Sequence, residues 1–164
     1  MATRRLTQTA LLTAFICLIA PWTLPLGTLP ITLGSMAVAL SASLCGYRGV
    51  AATAIYILLG AVGLPIFSGF SGGLHVLLGP TGGFIIGYLP MSLCIAAIGG
   101  LLGQMAGYIC LYLCGALCYS AATSTDFLLS LAICVLPFLI IDILKVISVQ
   151  IITNRMKTYL KQVK

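Results

Sequence analysis

Between Leu6 and Asn154 the chain carries only four charged side chains: Arg48, Asp126, Asp142 and Lys145. No other feature restricts the fold as much. A water-soluble domain keeps polar residues over its outer surface, and this chain has almost none to place there. The stretches between the charges collect into apolar runs, and one membrane crossing takes about 20 apolar residues. With 61% hydrophobic and 6% charged residues in a length of 164, the chain reads as an all-α integral membrane protein. The length has room for about six helices and none for a separate soluble domain.

The predicted helices cover residues 6–20, 31–45, 50–63, 82–98, 101–121 and 138–159, in one transmembrane domain spanning 1–164. Arg4 and Arg5 before the first run also suit a secretory leader. The later runs already make a membrane protein, however, and this segment completes their number. Pro21, Pro25 and Pro30 exclude helix from the first connector, where Trp22 suits an interface. Arg48 marks a tight turn over 46–49, and Pro65 closes the third helix. A short apolar stretch begins near Phe127, is too short to cross, and is expected to stop at Pro137. Arg4, Arg5, Arg48 and the tail residues Arg155, Lys157, Lys161 and Lys164 then fall on one side. The positive-inside rule makes that side, with both termini, cytoplasmic. The proline-rich and glycine-rich connectors and Asp126 lie outside.

Asp142 and Lys145 are the charges that fall within an apolar run, and a spacing of three puts them on one helix face. An ionisable residue inside a membrane marks a functional site by default. Together they offer an acceptor and a donor, which suits a compact ligand group with both N–H and C=O, such as a urea or amide. The plainer reading is a self-neutralised pair, or a lysine that reaches for the interface. The second candidate is the stretch 67–84, FSGFSGGLHVLLGPTGGF. Irregular backbone between hydrophobic runs is tolerated where it is buried in protein or lines a cavity. It is read as a loop folded over a ligand, with Ser71 and Thr81 as candidate hydroxyl contacts. His75 is the sole histidine; it either meets ligand, gates with pH, or faces water.

Ala10 and Ala14 form a small-xxx-small pair suited to close approach by another helix, in this chain or in a partner. Gly99, Gly103 and Gly107 repeat the spacing. Cys110, Cys114 and Cys118 share a helix face, but no histidine or carboxylate joins them, so no metal or cofactor is expected. The seven cysteines read as reduced packing residues. No P-loop is present, so the chain cannot hydrolyse ATP by itself. Basic and aromatic residues do not interleave on a polar surface, so no nucleic-acid partner is expected. The one catalytic arrangement to weigh is an intramembrane hydrolase with a Ser or Cys nucleophile, such as Ser68 or Ser71, and His75 as base.

Several segments resemble one family. They are Pro30-Ile31-Thr32-Leu33, YILLGAVGLPIF (56–67), SGGLHVLLGPTGGFIIGY (71–88) and VLPFLIIDILK (135–145), in that order. The family is BioY, the biotin-specific substrate-binding components of energy-coupling-factor (ECF) transporters. The resemblance implies a six-helix bundle in the cytoplasmic membrane of a prokaryote, with a glycine-rich outer loop capping a biotin pocket. It implies that Asp142 and Lys145 bind the ureido ring, and that the loop brings Ser71, Gly72, Gly73, Leu74, Thr81, Gly82 and Gly83 over the vitamin. Ala10 and Ala14 match the face on which a transmembrane coupling (T) component docks, with two ABC ATPases driving release. The implied role is high-affinity biotin capture for uptake, not catalysis. Three positions depart from the family pattern. Gly34 stands where glutamine is frequent, His75 replaces a small residue, and the link near 99–104 is short. The alternatives are a related carrier for another vitamin, solitary transport without ATPases, and the hydrolase above.

Overall fold

The computed structural model describes residues 2–24 and 31–162. Its first helix, α1 (Ala2–Ile19), starts earlier than expected and takes in Arg4 and Arg5, which are good helix formers. Two residues of strand on each side, β1 (Thr23–Leu24) and β2 (Ile31–Thr32), pair antiparallel with Thr23 opposite Thr32. Residues 25–30 of the proline-rich connector lie outside the described residues. Ile31 and Thr32 are therefore strand, not the first turn of a helix as predicted, and α2 (Gly34–Cys45) begins after them.

Gly46, at φ 56°, turns the chain directly into α3 (Tyr47–Ala61), a conformation that glycine adopts without a Cβ clash. The glycine-rich stretch that follows is not bare loop. It holds a 3₁₀ turn at Ser68–Phe70 and one short helix, α4 (Leu74–Leu77). Helix α5 (Gly82–Ile98) runs through Pro90, and Gly99 alone separates it from α6 (Gly100–Thr123).

The last element corrects the sequence reading most. Helix α7 (Phe127–Gln162) runs 36 residues without interruption past position 137. Proline removes one backbone hydrogen bond from a helix, but within a bundle neighbouring groups re-satisfy the freed carbonyl and the helix continues. The stretch from Phe127 and the expected helix 138–159 are one rod.

Small residues set the distances between helices. A Cβ on Gly107 of α6 would lie 2.9 Å from the Met91 carbonyl oxygen of α5, and one on Gly103 would lie 3.3 Å from that of Cys94. Gly99 does not extend this face. It sits in the turn at φ 72° with nothing within 4 Å of a Cβ position. Ile16, Val38, Tyr56, Phe67, Met91, Ile95 and Val149 fill the centre of the bundle. The outer faces carry exposed Leu58, Leu102, Ile109, Ile140 and Ile151, a surface suited to hydrocarbon and not to water. Among the described residues, α6 has the length and composition of a complete crossing by itself. Helices α2, α3 and α5 are apolar but shorter.

The approach of α3 to α2 yields a test. A Cβ on Gly49 would stand 2.5 Å from the backbone of Ser41, and backbone cannot swing aside as a side chain can. Gly49→Ala is expected to force α2 and α3 apart and to lower stability by about 1–3 kcal/mol. Thermal unfolding of the detergent-purified protein measures it. An unchanged midpoint would mean that the two helices separate at no cost.

Candidate functional site

Helix α7 presents Phe138, Asp142 and Lys145 at intervals of four and three, which aligns them on one face. That face looks into a hollow of about 60 Å³, concave and walled mostly by apolar and aromatic side chains as small-molecule sites are. Leu111 and Tyr112 come from α6, Phe84, Ile85 and Tyr88 from α5, and Tyr56 from α3. Ala20, Thr32 and Ser35 come from the α1–α2 region, and Ser68 and Thr81 from the glycine-rich connector. The walls are largely aromatic and aliphatic, with polar atoms concentrated around Asp142 and Lys145.

Asp142 and Lys145 are each 7% exposed, so each needs its charge answered within the protein. Lys145 Nζ lies 2.8 Å from Asp142 Oδ1. It also donates to the Thr32 carbonyl oxygen at 2.8 Å and to Ser35 Oγ at 3.1 Å. An ammonium has three protons: two make these hydrogen bonds, and Asp142 Oδ1, although close, has no hydrogen-bond partner among the described residues. Tyr112 Oη donates to Asp142 Oδ2 at 2.6 Å. A carboxylate accepts at about four positions, so Asp142 keeps acceptor capacity after these two contacts. The site thus has a cation held by two oxygen acceptors beside an anion with room for further N–H donors, and hydroxyls around them.

The other sequence candidates fall in different places. Thr81 lines the hollow beside Asp142 and Lys145, whereas Ser71, Gly72, Gly73, Leu74, Gly82 and Gly83 do not. Ser71 Oγ donates to the Ser68 carbonyl oxygen at 2.7 Å. Gly82 and Gly83 serve close packing: a Cβ on either would meet Leu77 at 1.9 Å or Cys118 at 2.4 Å. His75 is exposed in α4 and does not line the hollow that Ser68 lines, so nucleophile and base are not assembled there. Ala10 and Ala14 are exposed on α1, in an apolar groove shared with Ile55 and Leu59 of α3. Arg48 donates to Gln8 Oε1, tying α3 to α1. Gly34 lies against the Tyr88 hydroxyl.

Sequence reasoning passed over Thr32, Ser35, Tyr56, Tyr88 and Tyr112. The available signal was a polar atom in an apolar run, which a tyrosine or serine gives only weakly. The pair itself supplies a test. Removing one partner leaves the other charge buried and alone, at a cost of about 3–5 kcal/mol. Lys145→Met is expected to destabilise by that amount, and adding Asp142→Asn to recover most of it, as read from unfolding midpoints. A double variant no more stable than Lys145→Met would argue against the ion pair as the source of the loss.

Comparison with known proteins follows from this geometry. The BioY family model matches residues 1–162. The chain is 38% identical to a biotin transporter BioY of Thermotoga maritima over 147 residues, covering 89% of this chain and 82% of that one. It is 34% identical to a probable biotin transporter BioY of Pyrococcus horikoshii over 160 residues, covering 96% and 98%. Its fold superposes on the crystal structure of an S-component for biotin from an ECF-type ABC transporter with a TM-score of 0.87. That match has 27% identity and covers 96% of this chain and 92% of the other. On a family match across nearly its whole length, supported by relatives above 30% identity, the chain belongs to the BioY family.

Proposed function

We propose that this chain is the S component of an ECF-type biotin uptake system: a binding protein in the membrane, not an enzyme. The observation that carries the reading is the buried Asp142–Lys145 pair lining the hollow, with spare acceptor capacity on Asp142. Biotin's ureido ring carries two N–H groups and one C=O, and its sulfur ring and valeryl chain are apolar. The N–H groups suit the unfilled acceptor positions of Asp142. The rest of the vitamin suits walls such as Phe84, Leu111 and Phe138. A site built around buried polar groups rejects analogues that leave those groups unpaired.

The finer architecture belongs to the same proposal. Six helices cross the membrane, with α4 as part of the connector, and both basic termini are cytoplasmic. The connector over 67–84 caps the vitamin from outside, through Thr81 and Ser68 directly and through Ser71, Gly72, Gly73, Leu74, Gly82 and Gly83 as its frame. A T component docks on the small-residue face at Ala10 and Ala14, where a closely approaching helix meets no bulky side chain. Two ABC ATPases supply the energy that this chain cannot.

Equilibrium titration of the purified protein with biotin tests the reading, with thiamine as competitor. Saturable binding that thiamine does not displace is expected. Asp142→Asn is expected to weaken it by about 10- to 100-fold, the range of a hydrogen bond to a charged group. A folded parent that ignores biotin, or an Asp142→Asn variant that binds as well as the parent, would sink the proposal.

A further inference from the structure

The inner end of α7 carries a face that the biotin hollow does not use. Ile151, Asn154, Arg155, Thr158 and Tyr159 recur at helical spacing, so they share one side of the helix, and together they line a shallow hollow. All five are exposed, whereas Val149 and Thr153, on the opposite side of α7, are buried. The face therefore looks directly away from the bundle.

Its chemistry changes along the helix axis. Ile151 is aliphatic, a guanidinium and an amide follow one turn on, and a phenol hydroxyl one turn beyond those. Gln150 Nε2 donates to Asn154 Oδ1 at 3.3 Å, which leaves the N–H donors of the Asn154 amide unspent. Thr158 Oγ1 gives its proton to the Asn154 carbonyl oxygen at 2.9 Å. Among the described residues, Arg155 and the Tyr159 hydroxyl have no ion-pair or hydrogen-bond partner. No acidic residue follows Asp142 in the sequence. Uncommitted donors around one full positive charge suit an anion with several acceptor oxygens.

Depth selects which anion. From Phe127 to Arg155 the helix rises about 42 Å, and a bilayer with its headgroups is about 40–45 Å thick. With the turn between α6 and α7 at the outer headgroups, Arg155 stands among those of the cytoplasmic leaflet. Ile151 then lies beside their acyl chains, and Tyr159 falls at the interface, where tyrosine is enriched. We infer that this face of α7 binds the headgroup phosphodiester of an anionic phospholipid. The planar fork of Arg155 meets the phosphate oxygens, and Asn154 and Tyr159 donate beside it. Lys157, exposed at the same depth but off this face, adds only general attraction to an anionic surface. The site rests on the proposed membrane placement of both termini and does not involve biotin.

The detergent-purified protein is titrated with dioleoylphosphatidylglycerol, and the unfolding midpoint is followed, since a ligand of the folded state raises it. A saturable rise is expected, with little from dioleoylphosphatidylcholine, whose own cation offsets its phosphate. Arg155→Gln is expected to raise the half-saturating phosphatidylglycerol concentration about tenfold, the loss of a hydrogen bond to a charged group. Lys157→Gln is expected to raise it by less than about threefold, the share of an isolated surface charge. Both variants keep the parental biotin titration, because Asp142 lies about 20 Å away along α7. If Arg155→Gln does not fold, Tyr159→Phe is expected to raise the same concentration about fivefold, one neutral hydrogen bond. Equal effects of Arg155→Gln and Lys157→Gln, an equal response to phosphatidylcholine, or inorganic phosphate replacing the lipid each overturn the inference. A folded parent that ignores biotin yet keeps the expected lipid pattern overturns the biotin reading and leaves this site standing.

Discussion

An ammonium and a carboxylate held inside an apolar bundle govern how the rest of this structure is arranged. Alone, neither charge is tolerable away from water. Together they are stable only if further polar groups converge on them, and those groups come from three separate parts of the chain. Tyr112 arrives from α6, Ser35 from α2, and Thr32 from β2. The start of α2 illustrates the dependence. Had the helix begun at Ile31, the Thr32 carbonyl would have been spent on the amide four residues on. As strand, Thr32 keeps that carbonyl for Lys145. The two-residue pairing with Thr23–Leu24 thus has a consequence larger than its size.

Glycine does the complementary task of bringing the helices that carry these groups close together. Gly83 and Gly87 of α5 lie against Cys114 and Cys118 or Leu111 of α6, and Gly107 of α6 lies against Met91 of α5. In lipid no hydrophobic force drives helices together, so close packing across small residues is a main source of their association. The hairpin α5–α6 packed this way is a rigid wall. It fixes Tyr88 and Tyr112 relative to each other, and α7 needs only to lay Asp142 and Lys145 against it.

How much of this was legible in the sequence depended on how costly each residue is when buried. Asp142 and Lys145 stood out because a charge in an apolar run has few explanations. Tyr56, Tyr88 and Tyr112 did not, because a tyrosine costs little in such a run, and only the tertiary arrangement distinguishes the ones that line the hollow. The glycine-rich stretch is ambiguous in a different way. Glycine permits both a ligand cradle and close packing, and here Gly82 and Gly83 are taken up by Leu77 and Cys118. Pro137 was read by a rule for helices in water, whereas α7 continues through it. Gly34 was visible only as a missing side chain; the hydroxyl that occupies its space comes from Tyr88, 54 positions away in sequence.

The same arrangement bears on release. On the proposed function, the groups that meet the ligand are held in place before it arrives: Asp142 by Tyr112 and Lys145, and Thr32 by Lys145 and Tyr88. Preorganisation removes the ordering cost of binding, and that gain appears mostly as slow dissociation. A rigid site that binds tightly is therefore poor at letting go, and a transport cycle needs both. Charge rearrangement within the site is a costly way out, because moving Lys145 strands a buried carboxylate. Deforming the frame is cheaper. The connector over 67–84 is tied to the α1–α2 region by the Gly69 amide on the Pro21 carbonyl oxygen at 3.0 Å and by the edge-on contact of Phe70 with Trp22. Both of these contacts meet the segment that follows α1. On the proposed function, a partner docked at Ala10 and Ala14 would pull on the helix that leads into that segment, and the force would reach the connector without first breaking the ion pair.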